Sequence, residues 1–394
     1  MAAAIVDLET ADGIPDVADL EPYSRAFVVL RYQGVPFGHA WLPVADGRIP
    51  SDAIREQIVA TMLPEFSRRW TDCHLSRCNG APPKLSTATI AICTRDRPVD
   101  LARALSAAAR ASAGRYPVLV VDNCPSSDNT RNLVAATPGV DYVREDTPGL
   151  NAARNRALRA ARTDIVAFTD DDAAPEPGWL DALLRNFNHH LVLGVTGLTL
   201  PLELETDAQE WFERYTPFGR GYFRRLFEPG ECSPHAAGSI GAGANMALRR
   251  EVVELVGPFD ESLDAGTPTR SGGDHEMFSR ILARGYRMVY DPAAVSRHRH
   301  RRSWEELRDT IEGYGTGVYA IWTGNILRES DLSVLKEAAR WFGRNQGPAL
   351  ARALTRRPGA PPLDLILAEL AGCAKGPVAW LKSRRTHGAA PPAV

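Results

Sequence analysis

Three adjacent aspartates, Asp170, Asp171 and Asp172, follow the apolar run 165–168 after a single threonine. Neighbouring carboxylates repel one another and raise each other's pKa unless a cation neutralises them. At the end of a buried strand, these side chains cannot all spread into solvent. Mg²⁺ or Mn²⁺, bound by oxygen ligands and carrying substrate phosphates, suits such a cluster best. The pattern therefore favours a divalent metal site over a solvated acidic turn.

Polar side chains also follow two earlier apolar runs, 89–93 and 118–121. Aspartate is common at turns and helix starts, so a single aspartate there does not separate a structural role from ligand binding. In parallel sheets, however, ligands bind beyond the carboxyl ends of the strands. We therefore expect both groups to lie beside the three aspartates. The residues concerned are Thr94, Arg95, Asp96, Arg97, Asp122 and Asn123.

Asp274 follows two glycines, Gly272 and Gly273, and precedes a predicted amphipathic helix. One interpretation is an aspartate at the helix N-cap, which contributes about 1 kcal/mol. The other is a general base on a flexible loop, which takes a proton from an acceptor hydroxyl. Spacing alone favours the cap.

A basic run over 297–302 contains His298 and His300. It is either a solvated charged surface, or a segment whose histidine completes a metal site while its arginines hold phosphate. The run by itself does not decide between these interpretations.

The elements that must position these residues alternate between strand and helix from residue 87 onward. Helices are predicted after Pro98, over 128–136 and 151–161, and after Pro177, between continuously apolar strands. This alternation is typical of an α/β fold with a mostly parallel sheet covered by helices on both faces.

Two further regions flank this predicted domain of residues 84–300. Residues 1–83 suggest a frayed acidic lead, strands over 26–32 and 38–44, a helix over 51–70 and a linker at 80–83. We interpret them as a small α+β accessory region that packs or dimerises. Residues 301–394 are predicted to be helical. They should pack on the core to about residue 326, and beyond it they either pack or rest on an anionic membrane.

Composition excludes several classes of protein. The 394 residues are 44% apolar and 24% charged, and 46 basic against 48 acidic side chains leave a net charge of −2. This balance argues against a nucleic-acid binder and against widespread disorder. Six scattered cysteines fit neither a disulfide framework nor a zinc site, and the acidic start does not look like a secretory signal. We expect a cytoplasmic protein without a membrane-spanning helix.

Taken in order, these motifs resemble glycosyltransferase family 2, whose members have the GT-A fold. The resemblance covers about residues 86–300 and includes a segment around Asn245 that lines the acceptor side in the family. The motifs are Cys93-Thr94-Arg95-Asp96-Arg97-Pro98, Val120-Val121-Asp122-Asn123, Pro148-Gly149-Leu150-Asn151-Ala152-Ala153-Arg154-Asn155, Phe168-Thr169-Asp170-Asp171-Asp172 and Gly273-Asp274-His275-Glu276.

The resemblance implies a role for each matching residue. Asp274 becomes the catalytic base, which reverses the preference for a helix cap. Asp172, Asp170 and His298 would bind Mn²⁺ or Mg²⁺. Gly273 stands where the family often has glutamate, and either His298 or His300 could align with the family's ligand. The donor would contact Thr94, Arg95, Asp96, Asp122, Asn123, Arg154, Asp170 and Asp171, and the acceptor side would include Asn245, Gly273, His275 and Glu276.

The implied reaction is the metal-dependent transfer of a sugar, with inversion, from a nucleoside-diphosphate sugar to an acceptor hydroxyl by direct displacement. A UDP-sugar is the default donor, and the acceptor is a glycan, a lipid-linked molecule or a small molecule. The alternative is a catalytically silent nucleotide-sugar-binding or scaffold protein on the same fold. A nucleotidyltransferase would need a glycine-rich, lysine-containing phosphate loop after the first strand, which residues 94–97 lack.

Overall fold

A computed structural model describes residues 2–74, 87–231 and 233–387. They form a small N-terminal sheet, a large central sheet flanked by helices and a C-terminal group of helices. The predicted α/β class is thereby confirmed. The predicted linker at 80–83, and with it the boundary of the accessory region, lies outside the described residues.

The N-terminal sheet contains β1 (Ala4–Glu9), β2 (Arg25–Tyr32) and β3 (Val35–Pro43). β2 and β3 form the expected antiparallel hairpin, whereas β1 pairs parallel with β2. The prediction of a frayed lead was wrong over β1, because the Glu9 carboxylate accepts hydrogen bonds from the backbone N–H groups of the hairpin turn at Gln33 and Gly34. The sheet is covered by α1 (Ser51–Gln57) and α2 (Leu63–His74), joined by a π-helical turn.

The central sheet has nine strands in the order β10-β12-β9-β11-β7-β4-β5-β6, with β8 beside β12. It is parallel from β6 to β7, antiparallel on both sides of β11, and parallel again between β9 and β12. The sheet is therefore more mixed than predicted. The strands are β4 (Ala88–Thr94), β5 (Val118–Asn123), β6 (Val140–Glu145), β7 (Ile165–Asp170), β8 (Ala173–Pro175), β9 (Val192–Pro201), β10 (Arg225–Phe227), β11 (Asn245–Arg249) and β12 (Arg287–His298).

Helices cover both faces of this sheet because its strands are apolar on both faces. On β4, Ile90 and Ile92 pack in one core cluster with Leu101 of α3, whereas Ala91 packs in the other with Ala153 of α5. The helices of this part are α3 (Pro98–Ser112), α4 (Asn129–Ala135), α5 (Leu150–Ala160), α6 (Trp179–Leu184), α7 (Asp207–Tyr215), α8 (Val252–Leu255) and α9 (Gly273–Ala283).

The N-terminal sheet is held against the end of β12 by ion pairs between half-buried arginines and half-buried or exposed carboxylates. The Arg297 guanidinium lies 2.6 Å from Asp7 and 2.9 Å from Glu176. The Arg31 guanidinium contacts the same two carboxylates, at 2.8 and 2.9 Å. Because Arg297 immediately precedes His298, this network fixes the strand end that carries the candidate metal ligand.

The C-terminal helices are α10 (Trp304–Glu329), α11 (Ser333–Trp341), α12 (Gly347–Leu354) and α13 (Leu363–His387), with a π-helical turn at Phe342–Gln346. α10 begins with a capping box between Ser303 and Glu306. Within the described ranges, no helix combines the length and the apolar character needed to cross a membrane.

α10 and α13 pack unusually closely because glycines line their contact. A Cβ atom on Gly372 would lie 2.0 Å from the Glu312 carbonyl oxygen, and one on Gly376 would lie 2.5 Å from the Tyr319 Cβ. Neither distance is tolerable without a backbone shift. The glycines therefore set the spacing of the two helices.

Replacing Gly372 with alanine should separate these helices and lower the free energy of unfolding by about 1–3 kcal/mol, as overpacking does. The matched control is Gly343→Ala, because Gly343 is also helical but has no atom within 4 Å of its would-be Cβ. That change should be neutral or stabilising, since alanine is the better helix former. Denaturant unfolding of both variants measures the difference, and equal stabilities would contradict close packing at Gly372.

Candidate active site

The carboxyl ends of β4, β5 and β7 open into one cleft with a volume of about 1410 Å³. Thr94 ends β4, Asn123 ends β5 and Asp170 ends β7, and all three line the cleft. The strands are parallel neighbours, so their ends necessarily meet at one edge. The expected convergence of the three strand ends is observed.

One wall of the cleft holds a group of potential metal ligands: Asp170, Asp172 and His298. Each offers one ligand atom, and these atoms lie within 4.8 Å of one another. His298 reaches the aspartates because β12 pairs with β8, which places His298 opposite Ala173. Two carboxylates and an imidazole suit Mn²⁺ or Mg²⁺, so the donor set fits the divalent cation that the sequence predicts.

The electrostatics of this group are those of a cation site. Burial and the charge of Asp172 raise the pKa of Asp170 to about 6, although Arg154 and His298 oppose the shift. Burial also tends to raise the pKa of Asp172, but His298, Arg301 and Arg97 outweigh it and lower that pKa. Burial tends to lower the pKa of His298, but Asp172 and Asp170 outweigh it and raise that pKa. Without metal, a proton on His298 therefore supplies positive charge 3.1 Å from Asp172.

His300 does not join this group. Its Nε2 lies 3.0 Å from Glu213, and its ring stacks on Phe212 with centroids 4.1 Å apart. His298 was the expected ligand, with His300 left as the alternative, and of these two histidines the structure places His298 with the aspartates.

Asp171 turns toward the end of β4 instead of joining Asp170 and Asp172. It accepts a hydrogen bond of 2.7 Å from the Thr94 hydroxyl and one of 3.2 Å from Arg97. Arg97 also lies 3.5 Å from Asp172, and Arg301 lies 3.4 Å from Asp172 on the other side. Arg97 therefore lies beside the aspartates, as expected from the sequence, and Arg301 belongs to the run 297–302, for whose arginines phosphate binding was one of the two interpretations. Their guanidinium groups place two positive charges where a diphosphate would need them.

Two residues expected to contact the donor have structural partners instead of cleft positions. The Asp96 carboxylate accepts hydrogen bonds from the Ser126 N–H at 2.9 Å and from its hydroxyl at 2.8 Å, which ties together the loops after β4 and β5. Asp122 is fully buried, and its carboxylate accepts a hydrogen bond from the Tyr142 hydroxyl. Burial raises the pKa of Asp122. Arg95, by contrast, is half exposed and lines the cleft.

Arg154 lines the cleft but is buried in an ion pair. Its Nη1 lies 2.7 Å from the Asp264 carboxylate and donates to Asn151 at 3.1 Å. Asp264 was not identified from the sequence, because it lies 110 residues away from Arg154 in a loop without a clear motif. Arg154 also borders Asp274 across Gly243, where a Cβ would lie 2.5 Å from the Arg154 Nη2 and 3.0 Å from an Asp274 oxygen.

Asp274 lies in the first turn of α9 and faces the cleft. The N-cap position is Gly272, with φ of 104°, so the N-cap interpretation of Asp274 was wrong. The Asp274 carboxylate accepts hydrogen bonds from the backbone N–H groups of Gly243 at 2.6 Å and His275 at 2.8 Å. Burial tends to raise the pKa of Asp274, but His275, Arg154 and these two N–H groups outweigh it and lower it. Asp274 is therefore an ionised carboxylate, able to accept a proton.

Three residues expected on the acceptor side lie behind the cleft wall, whereas His275 lines it. Asn245 is buried and bonds to Trp179, Leu198 and Ala294. Glu276 forms a buried ion pair with Arg280, at 2.5 Å, and a Cβ on Gly273 would collide with Asn151 and Asp264. The observed contacts of these three residues are packing contacts.

Part of the chain is similar to proteins of known family. Residues 89–257 match the profile of Glycosyl transferase family 2. The chain is 31% identical over 199 residues to the pre-mycofactocin glycosyltransferase of Mycobacterium tuberculosis, covering 49% of this chain and 39% of that one. It is 27% identical over 216 residues to glycosyltransferase AglE of Haloferax volcanii, covering 53% and 64%. The chain therefore spans between two fifths and two thirds of these relatives.

A solved structure shares the fold. A mannosyltransferase from Pyrobaculum calidifontis, in complex with GDP-Man and Mn²⁺, superposes with a TM-score of 0.53 at 17% identity, covering 82% of this chain and 97% of that one. This likeness shows the fold, and residues 89–257 are the part of the chain that is similar to glycosyltransferase family 2. Those residues include the ends of β4, β5 and β7, which line the cleft.

The charges at the metal site predict how metal binding depends on pH. Asp170, with a pKa of about 6, and His298, with a raised pKa, must both lose protons before they can act as ligands. Protons therefore compete with the metal below neutral pH, and Mn²⁺ affinity should fall at least about tenfold from pH 7 to pH 5. Calorimetric titration with Mn²⁺ at the two pH values measures the change in affinity.

The control variant is Asp146→Asn, because Asp146 is exposed, and it should leave both affinities unaltered. Equal affinities of the unaltered protein at pH 5 and pH 7 would contradict the assignment.

Proposed function

We propose that the protein transfers a sugar from a nucleoside-diphosphate sugar to an acceptor hydroxyl, with inversion at the anomeric carbon. The observation that carries this proposal is the presence in one cleft of both the Asp170–Asp172–His298 group and the ionised Asp274. The first group suits a metal-bound diphosphate, and the second suits an incoming hydroxyl. A single displacement needs a group that binds the leaving diphosphate and a base for the incoming hydroxyl in the same cleft.

In this mechanism, Asp274 accepts the proton of the acceptor hydroxyl as the oxygen attacks the anomeric carbon. The bond from that carbon to the diphosphate breaks, and the nucleoside diphosphate leaves with the electron pair. Arg97 and Arg301 lie beside Asp172 and counter the negative charge that develops on the leaving group. A bound Mn²⁺ or Mg²⁺ would supply further neutralisation of that charge. The buried ion pair of Arg154 with Asp264 keeps a positive charge beside Asp274 and maintains its ionised form.

UDP-sugars are the first donors to test, following the family resemblance, and GDP-mannose belongs in the same panel.

We also propose a cytoplasmic location, since Cys73, Cys93, Cys124 and Cys373 are free thiols, as expected in a reducing compartment.

Two variants separate the two halves of the proposed site. Asp172→Asn should abolish turnover and remove the Mn²⁺-dependent thermal shift caused by the donor, since a ligand that binds only the folded state raises its stability. Asp274→Asn should keep that thermal shift and lower turnover by roughly 10²–10⁴-fold, the usual contribution of a general base. The measurements are nucleoside-diphosphate release and thermal unfolding with each sugar nucleotide and Mn²⁺.

Each half can fail separately. Full turnover after treatment with EDTA would contradict the metal site. Loss of donor binding in Asp274→Asn would make Asp274 a donor ligand or a structural residue. Donor binding by the unaltered protein without any release of nucleoside diphosphate would support the scaffold alternative.

We further propose that the segment from α11 to α12 rests on an anionic membrane surface, where a lipid-linked acceptor would be located. Leu332, Leu335, Phe342 and Leu354 lie in or directly beside this segment and are between 49% and 65% exposed. Several exposed large apolar side chains close together in the sequence favour an interaction surface. The neighbouring basic residues are Arg340, Arg344, Arg352, Arg356 and Arg357. Exposed apolar side chains among arginines suit anionic lipid.

Sedimentation with vesicles tests this contact. Binding to the vesicles should increase with phosphatidylserine content and decrease with salt. The double variant Leu335→Glu/Phe342→Glu should bind the vesicles much more weakly. Val59→Glu is the control, because Val59 is at least as exposed as Leu335 and Phe342 but lies in the N-terminal region. Deletion of the whole C-terminal region is unsuitable, since α13 packs against α10. No sedimentation at low salt would exclude the membrane contact.

A further inference from the structure

The cleft extends well beyond the segment that matches the family. Its volume of about 1410 Å³ exceeds the range of roughly 300–1,000 Å³ that is usual for a single small-molecule site. The additional walls come from β3, from α10, from the turn between α11 and α12, and from α13. These elements lie outside residues 89–257, the segment that matches the family.

Tryptophans from three distant parts of the chain line this extension. Trp41 of β3 and Trp341 of α11 lie outside residues 89–257, and Trp211 of α7 borders the extension from within that segment. The Arg214 guanidinium lies 4.6 Å from the ring of Trp41 and 5.9 Å from that of Trp211, which orders both rings. Trp341 packs edge-on against Trp322, with centroids 5.9 Å apart. Such rings offer flat apolar faces beside a polar N–H group.

A polar group lies between these aromatic walls. The Glu369 carboxylate accepts hydrogen bonds from the Tyr215 hydroxyl and, at 2.9 Å, from the Gln346 amide nitrogen. A carboxylate can only accept, so the amide nitrogen of Gln346 must face it. The orientation of Gln346 is therefore determined, and its Oε1 points away from the carboxylate.

Two polar atoms of this region lack partners within the described part of the chain: the Gln346 Oε1 and the Trp341 indole nitrogen. Both residues line the cleft, and Gln346 is only 2% exposed. Over the described ranges, no ion pair joins Glu369 to an arginine or lysine. Buried polar groups are normally hydrogen-bonded, so unsatisfied ones in a cleft wall point to a ligand.

We infer that this extension, bounded by Trp41, Trp211, Trp341 and Glu369, is the acceptor site and that it takes a saccharide. A sugar ring has C–H groups on its faces, which pack on indole rings, and hydroxyl groups at its edge, which donate to Glu369 and Gln346. The inference rests on the proposed function, because it supplies the hydroxyl that Asp274 deprotonates. The competing ligand for aromatic rings beside a carboxylate is an organic ammonium ion.

Saturation-transfer NMR on the full chain tests the ligand class directly. The saccharide probes are methyl β-D-glucopyranoside, methyl α-D-mannopyranoside, methyl β-D-galactopyranoside and cellobiose, and the ammonium probe is phenethylamine. At least one saccharide should bind, and Trp341→Ala and Glu369→Gln should each weaken it by at least tenfold. Tyr215→Phe should weaken it less, since it keeps the ring and removes only the hydrogen bond to Glu369. The control is Trp70→Ala, since Trp70 is 42% exposed and lies outside the cleft.

Donor binding is recorded on the same variants as the Mn²⁺-dependent thermal shift with the active sugar nucleotide. An unchanged donor shift combined with lost saccharide binding supports the acceptor site. Binding of phenethylamine alone, or saccharide binding unaffected by both Trp341→Ala and Glu369→Gln, overturns it. If no sugar nucleotide binds the unaltered protein while saccharide binding behaves as expected, the proposed transferase function fails and the saccharide site stands.

Discussion

The neutralisation of buried carboxylate charge at the end of β7 is the constraint on which the rest of the structure depends. Asp170 and Asp172 are held near one another in a region of low solvent access, and their repulsion must be offset. The chain provides His298, Arg97 and Arg301 around Asp172 and Arg154 toward Asp170. These cations come from the loop after β4, from α5 and from the end of β12. The fold has to bring all of them to one strand end.

This requirement explains the arrangement of the flanking regions. β12 must end beside β8 for His298 to reach Asp172, and the N-terminal sheet secures that end through Arg297, Asp7 and Glu176. The long helix α10 then leaves directly from the basic segment and brings Tyr314 and Tyr319 to the cleft. Glycine contacts hold α13 tightly against α10, and Glu369 thereby reaches the same cleft. Both flanking regions thus contribute to the site as well as to stability.

The two carboxylate functions of the cleft differ because their surroundings differ. Burial and the neighbouring charge of Asp172 raise the pKa of Asp170 more than Arg154 and His298 lower it. A bound cation would stabilise its ionised form. Asp274 accepts hydrogen bonds from two backbone N–H groups and lies near His275 and Arg154, which lower its pKa. It is therefore ionised without a bound metal ion. An ionised carboxylate with a lowered pKa is a modest base, which suits a reaction whose main difficulty is the departure of a charged leaving group.

The sequence by itself determined the alternation of strands and helices, the carboxylates at the strand ends and the order of the family motifs. These features are local, because apolar periodicity and polar residues at strand ends lie within a few positions of one another. Only the tertiary structure decided that His298 and not His300 joins the aspartates, that Arg154 pairs with Asp264, and that Glu276 pairs with Arg280. Only the tertiary structure placed Trp41 and Glu369, more than 300 residues apart in the sequence, on one cleft. Each of these outcomes depends on which distant side chain lies opposite, and that is set by strand pairing and helix packing, not by spacing along the chain.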